Sequence, residues 1–241
     1  PCPPFSVAGK QLGADDERDL FPEALRLVRE AKPTAVMLEN VKGLASARFA
    51  NYRDAILDEL DDAGYDADWQ LIYSSEYGVP QLRPRFILVA LKRRQFRKFE
   101  WPRPTGTPPT VGKVLRPLMA ERGWAGAEQW AKRANNIAPT LVGGSRKHGG
   151  ADLGPTRAKQ SWLALGVDGK GIADEAPAPD APLDHLPRLT NQMAARVQGF
   201  YPDWQFSGRK TSTYRQIGNA FPPPVAAAIG GSIAEALGAV T

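Results

Sequence analysis

Apolar positions in the first third of the chain switch between helical and extended spacing. Asp19 precedes Leu20, Ala24, Leu27, Val28 and Ala31, a stripe at helical spacing with Pro22 tolerated in the first turn. Residues 34–38 form a short apolar run ending in Glu39-Asn40, and they predict a buried parallel strand with polar residues at its carboxyl end. Asn51 can cap a helix carrying Ile56, Leu57, Leu60 and Ala63, with Gly64 placed to end it. Two more strands are predicted near residues 68–74 and 86–91. Helix and strand in turn on short links is an α/β signature. Ligands of such sheets gather at the carboxyl ends of strands, where Glu39 would lie.

From Lys92 the periodicity fades. A basic run over residues 92–98 leads into a stretch holding Pro102, Pro104, Pro108, Pro109 and Pro117. A Gly-rich basic loop over residues 143–159 follows, and then a second proline segment with Pro177, Pro179, Pro182 and Pro187. This reads as a small, loop-rich domain bounded by proline linkers. Regular structure is predicted again from Thr190, an N-cap for Met193, Ala194 and Val197, with Gly199 as the stop. A last helix starts after Pro222-Pro223-Pro224, runs to Leu237 and is expected to pack on the first sheet.

Composition narrows the classes of function. The chain has 241 residues with one cysteine and two histidines, His148 and His185. That excludes an internal disulfide framework and multi-ligand Cys/His zinc sites, so no metal is expected. No apolar run is long enough to cross a membrane as a helix. The net charge of +5 is uneven: residues 1–91 carry −5 and residues 92–241 carry +10. Such a split suits a scaffold followed by a part that meets a polyanion, or simply a solvated basic face.

Four short patterns could carry chemistry. Cys2 lies among Pro1, Pro3 and Pro4, which stiffen its loop; it is either an inert thiol or a presented nucleophile. Glu39 in Glu39-Asn40-Val41 is either a general acid at a strand end or a surface carboxylate. Arg83 and Arg85 in Gln81-Leu82-Arg83-Pro84-Arg85 point to one side of an extended segment, suited to an anion or a carbonyl oxygen, or merely solvated. Gly218-Asn219-Ala220, before a helix opening on prolines, has the shape of a turn for close approach of a ligand.

Their order and spacing are more specific than any one of them. The sequence resembles the DNA cytosine-C5 methyltransferases. Pro1-Cys2-Pro3-Pro4-Phe5-Ser6 resembles the Pro-Cys nucleophile loop of that family, with Pro3 where glutamine is commonest. Glu39-Asn40-Val41 and Gln81-x-Arg83-x-Arg85 match two further motifs. Arg188-Leu189-Thr190 with Arg196-Val197-Gln198-Gly199-Phe200 is similar to a fourth, although Tyr201 is inserted before Pro202-Asp203. Residues 214–220 with Pro222-Pro223 match the last. In the family the Gly-containing S-adenosylmethionine motif and the first strands precede the Pro-Cys loop. The resemblance therefore implies a chain cut at the catalytic loop, lacking the main cofactor site.

The implied fold is α/β: an incomplete, Rossmann-like S-adenosylmethionine-dependent catalytic domain with a small loop-rich target-recognition domain. Residues 1–98 would be the downstream part of the catalytic sheet, residues 99–187 the target-recognition domain, and residues 188–241 a return to the catalytic domain. Cys2 is the implied nucleophile toward C6 of a flipped cytosine, with Glu39 holding or protonating N3. Arg85 would contact the cytosine carbonyl, and Arg83 would fix Cys2 or a phosphate. Leu20, Asn219 and Ala220 match positions near the cofactor. Ser6, Thr140, Arg146 and Lys147 are the expected contacts to double-stranded DNA. A cytoplasmic, prokaryotic location is implied, with an upstream polypeptide as a conceivable partner completing the cofactor site. The competing readings are a tRNA cytosine-C5 methyltransferase, disfavoured by the long basic segment, and an inactive DNA-binding fragment. A Cys–His hydrolase would need a histidine near Cys2, and both histidines lie in the recognition segment.

Overall fold

The structure, a computed structural model, describes Pro4, Phe5, Gly13 and residues 16–143 and 151–239. Cys2, Ser6, Arg146 and Lys147 lie outside the described residues. The described chain forms two compact units. One comprises the chain up to Tyr73, Pro84–Arg103 and the chain from Ala227; the other comprises Ser74–Arg83 and Pro104–Ala226.

The first unit is built on three strands, β1 (Ala35–Val41), β2 (Tyr65–Tyr73) and β3 (Pro84–Lys92), in the order β1-β3-β2. Both β1 and β2 pair antiparallel with β3. The parallel neighbour expected for residues 34–38 is therefore not the one observed. The strand also runs on through Glu39 and Asn40 to Val41, because those polar residues keep the alternation of an extended chain.

Two helices cover one face of this sheet, α1 (Phe21–Ala31) and α2 (Ala50–Asp62). In α1 the buried stripe is Phe21, Leu25 and Val28, while Leu20 is 72% and Leu27 48% exposed. The predicted stripe was thus rotated by about one position, since Phe21, not Leu20, opens the helix against the core. The N-cap of α2 is Phe49, fed by a 3-10 turn at Ala47–Phe49, and Asn51 lies inside the helix. Val36, Phe86, Leu88 and Ala90 from the sheet pack with Leu25, Val28, Ile56 and Leu60 from the helices. Phe5 is fully buried in this core, with its ring 5.1 Å from Phe49, 5.3 Å from Tyr52 and 5.9 Å from Phe21. A four-residue helix, α3 (Arg93–Phe96), follows β3.

The second unit carries helices as well as loops: α4 (Val111–Met119), α5 (Ala127–Arg133), α6 (Thr156–Ala164), α7 (Asn191–Gln198) and α8 (Lys210–Asn219). Its core joins Val111, Leu115 and Trp130 with Leu141, Trp162, Met193, Val197, Tyr214 and Ile217. Residues 74–83 and 188–226 therefore group with residues 104–187, a different partition from the expected return to the catalytic part at 188. Buried apolar positions on α7 and α8 are the cause: they share one core with α4 and α5. Thr190 does cap α7, its hydroxyl accepting from the Met193 N–H at 3.2 Å, and Gly199 ends it with φ +89°. The last helix, α9 (Pro223–Leu237), starts in the second unit and continues in the first.

Candidate active site

Glu39 and Arg85 are brought together by strand register. Glu39 lies opposite Ile87 and Val41 opposite Arg85, so the two side chains are diagonal neighbours on one face of the β1–β3 pair. Arg85 Nε lies 2.5 Å from Glu39 Oε1, with the arginine side chain 13% and the glutamate side chain 32% exposed. A second guanidinium nitrogen, Nη1, donates to the Pro84 carbonyl at 2.9 Å. Burial pulls the proton affinity of Arg85 below its ordinary value, and the Glu39 charge acts against that. The pair is a half-buried carboxylate steered by a fixed cation, an arrangement suited to polar contact with a small heterocycle.

Arg83 behaves differently. Its side chain is fully buried and its φ of +25° is unusual for a residue with a Cβ. Nη1 donates to the Leu141 carbonyl at 2.7 Å, and Nη2 donates to the carbonyls of Gly218 at 2.9 Å and Ala220 at 2.8 Å. A guanidinium engaged in this way holds the backbone at Leu141, Gly218 and Ala220.

Gln81 and Gln198, also fully buried, complete this polar cluster. Gln81 Nε2 donates to Gln198 Oε1 at 2.8 Å, and Gln81 Oε1 accepts from the Leu141 N–H at 2.6 Å. Gln198 Nε2 donates to the Ala220 carbonyl at 2.5 Å. Sequence reasoning placed both glutamines in motifs but gave neither a role. The available signal was a polar residue on the otherwise apolar face of α7, beside Ala194 and Val197.

Thr140 directly precedes the clamped Leu141 and is partly buried. Two glycines allow the chain here to approach α8. A Cβ on Gly218 would fall 2.6 Å from Gly143 Cα, and one on Gly143 would fall 2.3 Å from Asn219 Oδ1. Asn219 is the last residue of α8 and is exposed, and Ala220 follows it as the C-cap. Leu20, before α1, leaves its apolar side chain largely in solvent. In the first unit, Phe5 in its aromatic cluster and the Gly13 N–H bond to the Pro4 carbonyl at 3.2 Å hold Pro4 and Phe5 in place. No group of acidic, cysteine or histidine side chains suited to a metal occurs among the described residues, and none of their helices is long and apolar enough to cross a membrane.

The chain thus carries a mixed α/β unit with a glutamate–arginine pair on adjacent strands and a helical unit with a buried polar clamp, the fold class of a partial methyltransferase domain. Comparison with known proteins names the family. The profile of the C-5 cytosine-specific DNA methylases matches residues 1–235. The Type II methyltransferase M.NaeI of Lentzea aerocolonigenes is 62% identical over 238 residues, covering 98% of this chain and 58% of the relative. M.NgoMIV of Neisseria gonorrhoeae is 51% identical over 241 residues, covering 98% of this chain and 76% of the relative. Among solved structures, the Entamoeba histolytica methyltransferase EhMeth aligns with a TM-score of 0.62 at 16% identity, covering 98% of this chain and 75% of that one. A putative DNA modification methyltransferase encoded within an E. coli prophage aligns at 0.59 and 23% identity, covering 93% and 76%. The last two likenesses concern the fold alone. The chain belongs to the C-5 cytosine-specific DNA methylase family, and it spans 58% of the length of M.NaeI.

Proposed function

We propose that the protein transfers a methyl group to C5 of a flipped cytosine in duplex DNA, as a restriction-modification or orphan methylase acting on cytoplasmic DNA. The observation that carries this reading is the Glu39–Arg85 ion pair, formed by the two motifs that would meet the base. Cytosine C5 is too weak a nucleophile to take a methyl group directly. The Cys2 thiolate would add to C6, forming a C–S bond and moving the C5–C6 electron pair to C5. Glu39, steered by Arg85, would hold the N3 proton and accept from the exocyclic amine; Arg85 would donate to the ring carbonyl. S-adenosylmethionine supplies the methyl group as an electrophilic sulfonium, and Leu20, Asn219 and Ala220 would hold part of it. A base then takes the C5 proton, the double bond re-forms and the thiolate leaves. Arg83 would act on the backbone around Leu141, not on the base.

Residues 99–187 would contain the target-recognition domain, with Thr140, Arg146 and Lys147 meeting the DNA and Ser6 joining them from the nucleophile loop. Flipping costs about a few kcal/mol, which such phosphate contacts offset. Transfer of labelled methyl groups from S-adenosylmethionine by the full-length protein, with duplex DNA and tRNA as parallel substrates, tests the reading. The expected product is 5-methylcytosine in DNA, absent with Cys2→Ser and formed about a hundredfold more slowly, or worse, with Glu39→Gln. Methylation that survives Cys2→Ser, or that is confined to tRNA, overturns it.

A further inference from the structure

The buried polar groups of the second unit close into a ring. From the Leu141 N–H it runs through Gln81 Oε1 at 2.6 Å, Gln81 Nε2 to Gln198 Oε1 at 2.8 Å, and Gln198 Nε2 to the Ala220 carbonyl at 2.5 Å. From the same carbonyl it returns through Arg83 Nη2 at 2.8 Å and Arg83 Nη1 to the Leu141 carbonyl at 2.7 Å. The two backbone ends fix its polarity. Ala220 C=O can only accept, so Gln198 must turn its nitrogen there and its oxygen to Gln81. Gln81 must then donate with its nitrogen, which leaves its oxygen for Leu141 N–H, a group that can only donate. Each amide is therefore oriented by the other, and neither can flip without leaving buried groups unmatched.

We infer that Gln198 is a positioning residue that, through Gln81, sets the backbone of residues 140–143 from which the basic segment 144–150 departs. The inference rests on the DNA-methylating reading for what that segment meets. The ring grips Leu141 on both of its backbone groups, and two residues later Gly143 is wedged against Gly218 and Asn219. Gln198 touches neither base nor cofactor in this scheme. Its effect is on the backbone of residues 140–143, Thr140 among them.

Two readouts in the full-length protein test this with Gln198→Met, Gln81→Met and the double variant, methionine being chosen for similar length without hydrogen-bonding groups. In steady-state methylation, each single variant is expected to raise KM for duplex DNA about tenfold while kcat at saturating DNA stays within about threefold. The double variant is expected to cost no more than either single one, because both break the same relay. Additive losses, or losses in kcat with KM unchanged, overturn the inference. Amide hydrogen exchange gives the second readout and does not depend on activity: the 140–143 segment should lose protection in each variant, while Trp162 and its neighbours on α6 keep theirs. Unchanged protection at 140–143 overturns the inference. If the wild-type protein fails to methylate DNA, the proposed function falls and the exchange result alone decides whether the ring positions this segment.

Discussion

Arg83 and Arg85 stand two residues apart in one short motif and face opposite tasks. Arg85 stays close to the surface beside Glu39, whereas Arg83 is sealed in and donates to three carbonyls. Removing Arg83 leaves the Leu141 and Gly218 carbonyls buried without this donor. At about 1–3 kcal/mol for each unsatisfied group, Arg83→Met should destabilise the second unit by about 2–6 kcal/mol. Urea unfolding followed through tryptophan fluorescence would measure it, and a loss below about 1 kcal/mol would contradict the clamp. Tyr214 is the reverse case. Its hydroxyl is buried without a hydrogen-bond partner among the described residues. Burial, helped by the charge of Asp152 and opposed by Arg83, pushes the phenol well above its ordinary range, so it stays protonated. Taking this hydroxyl out of water contributes nothing in return, so Tyr214→Phe should be neutral or stabilising by up to about 1 kcal/mol. A clear destabilisation in the same unfolding assay would mean that the hydroxyl has work the fold does not reveal.

At the scale of elements, glycines inside helices separate close approach from mere tolerance. Alanine at Gly218 gains helix propensity of up to about 1 kcal/mol, but its Cβ would meet the Gly143 backbone. Backbone cannot move aside as a flexible side chain can, so overpacking of about 1–3 kcal/mol wins and Gly218→Ala destabilises. Gly230 in α9 has no described atom within 4 Å of the same construction, so Gly230→Ala should stabilise by about 0.5–1 kcal/mol. Paired melting curves of the two variants, shifting in opposite directions, are the check.

The same contrast explains what was legible in the sequence. Thr190 and Gly199 were readable as the ends of α7 because capping is local chemistry. The motif order marked Glu39 and Arg85, but their contact needed the β1–β3 register, which no local pattern carries. Leu20 was misassigned to the buried stripe because α1 has apolar residues on more than one face, and only the position of the core selects among them. The roles of Gln81 and Gln198 were hidden for a related reason: a buried glutamine is recognisable only when its partner, more than a hundred residues away, is known.

For the molecule as a whole, the division into units changes the meaning of the charge asymmetry. The basic run at residues 92–98 belongs to the sheet unit and is partly neutralised there. Arg93 pairs with Asp61 at 2.7 Å and Asp66 at 2.9 Å, and Lys92 Nζ lies 3.5 Å from the centre of the Tyr65 ring. The second unit holds 16 Lys and Arg against 10 Asp and Glu, a net +6, whereas the sheet unit nets −1. If duplex DNA is the partner, its phosphates should be met by cations of the second unit, and Arg146 and Lys147 are the pair the motifs single out. Each phosphate contact releases about 0.9 counterion from duplex DNA. Neutralising both as Arg146→Gln and Lys147→Gln should therefore flatten the log–log dependence of DNA affinity on salt by about 2. The same change at Arg93, already paired with two carboxylates, should alter that slope by less than about 0.5. Fluorescence anisotropy titrations across a salt series would read both slopes. A slope that responds to Arg93 as strongly as to Arg146 and Lys147 would move the DNA-facing charge to the sheet unit and remove the reason for assigning recognition to residues 99–187.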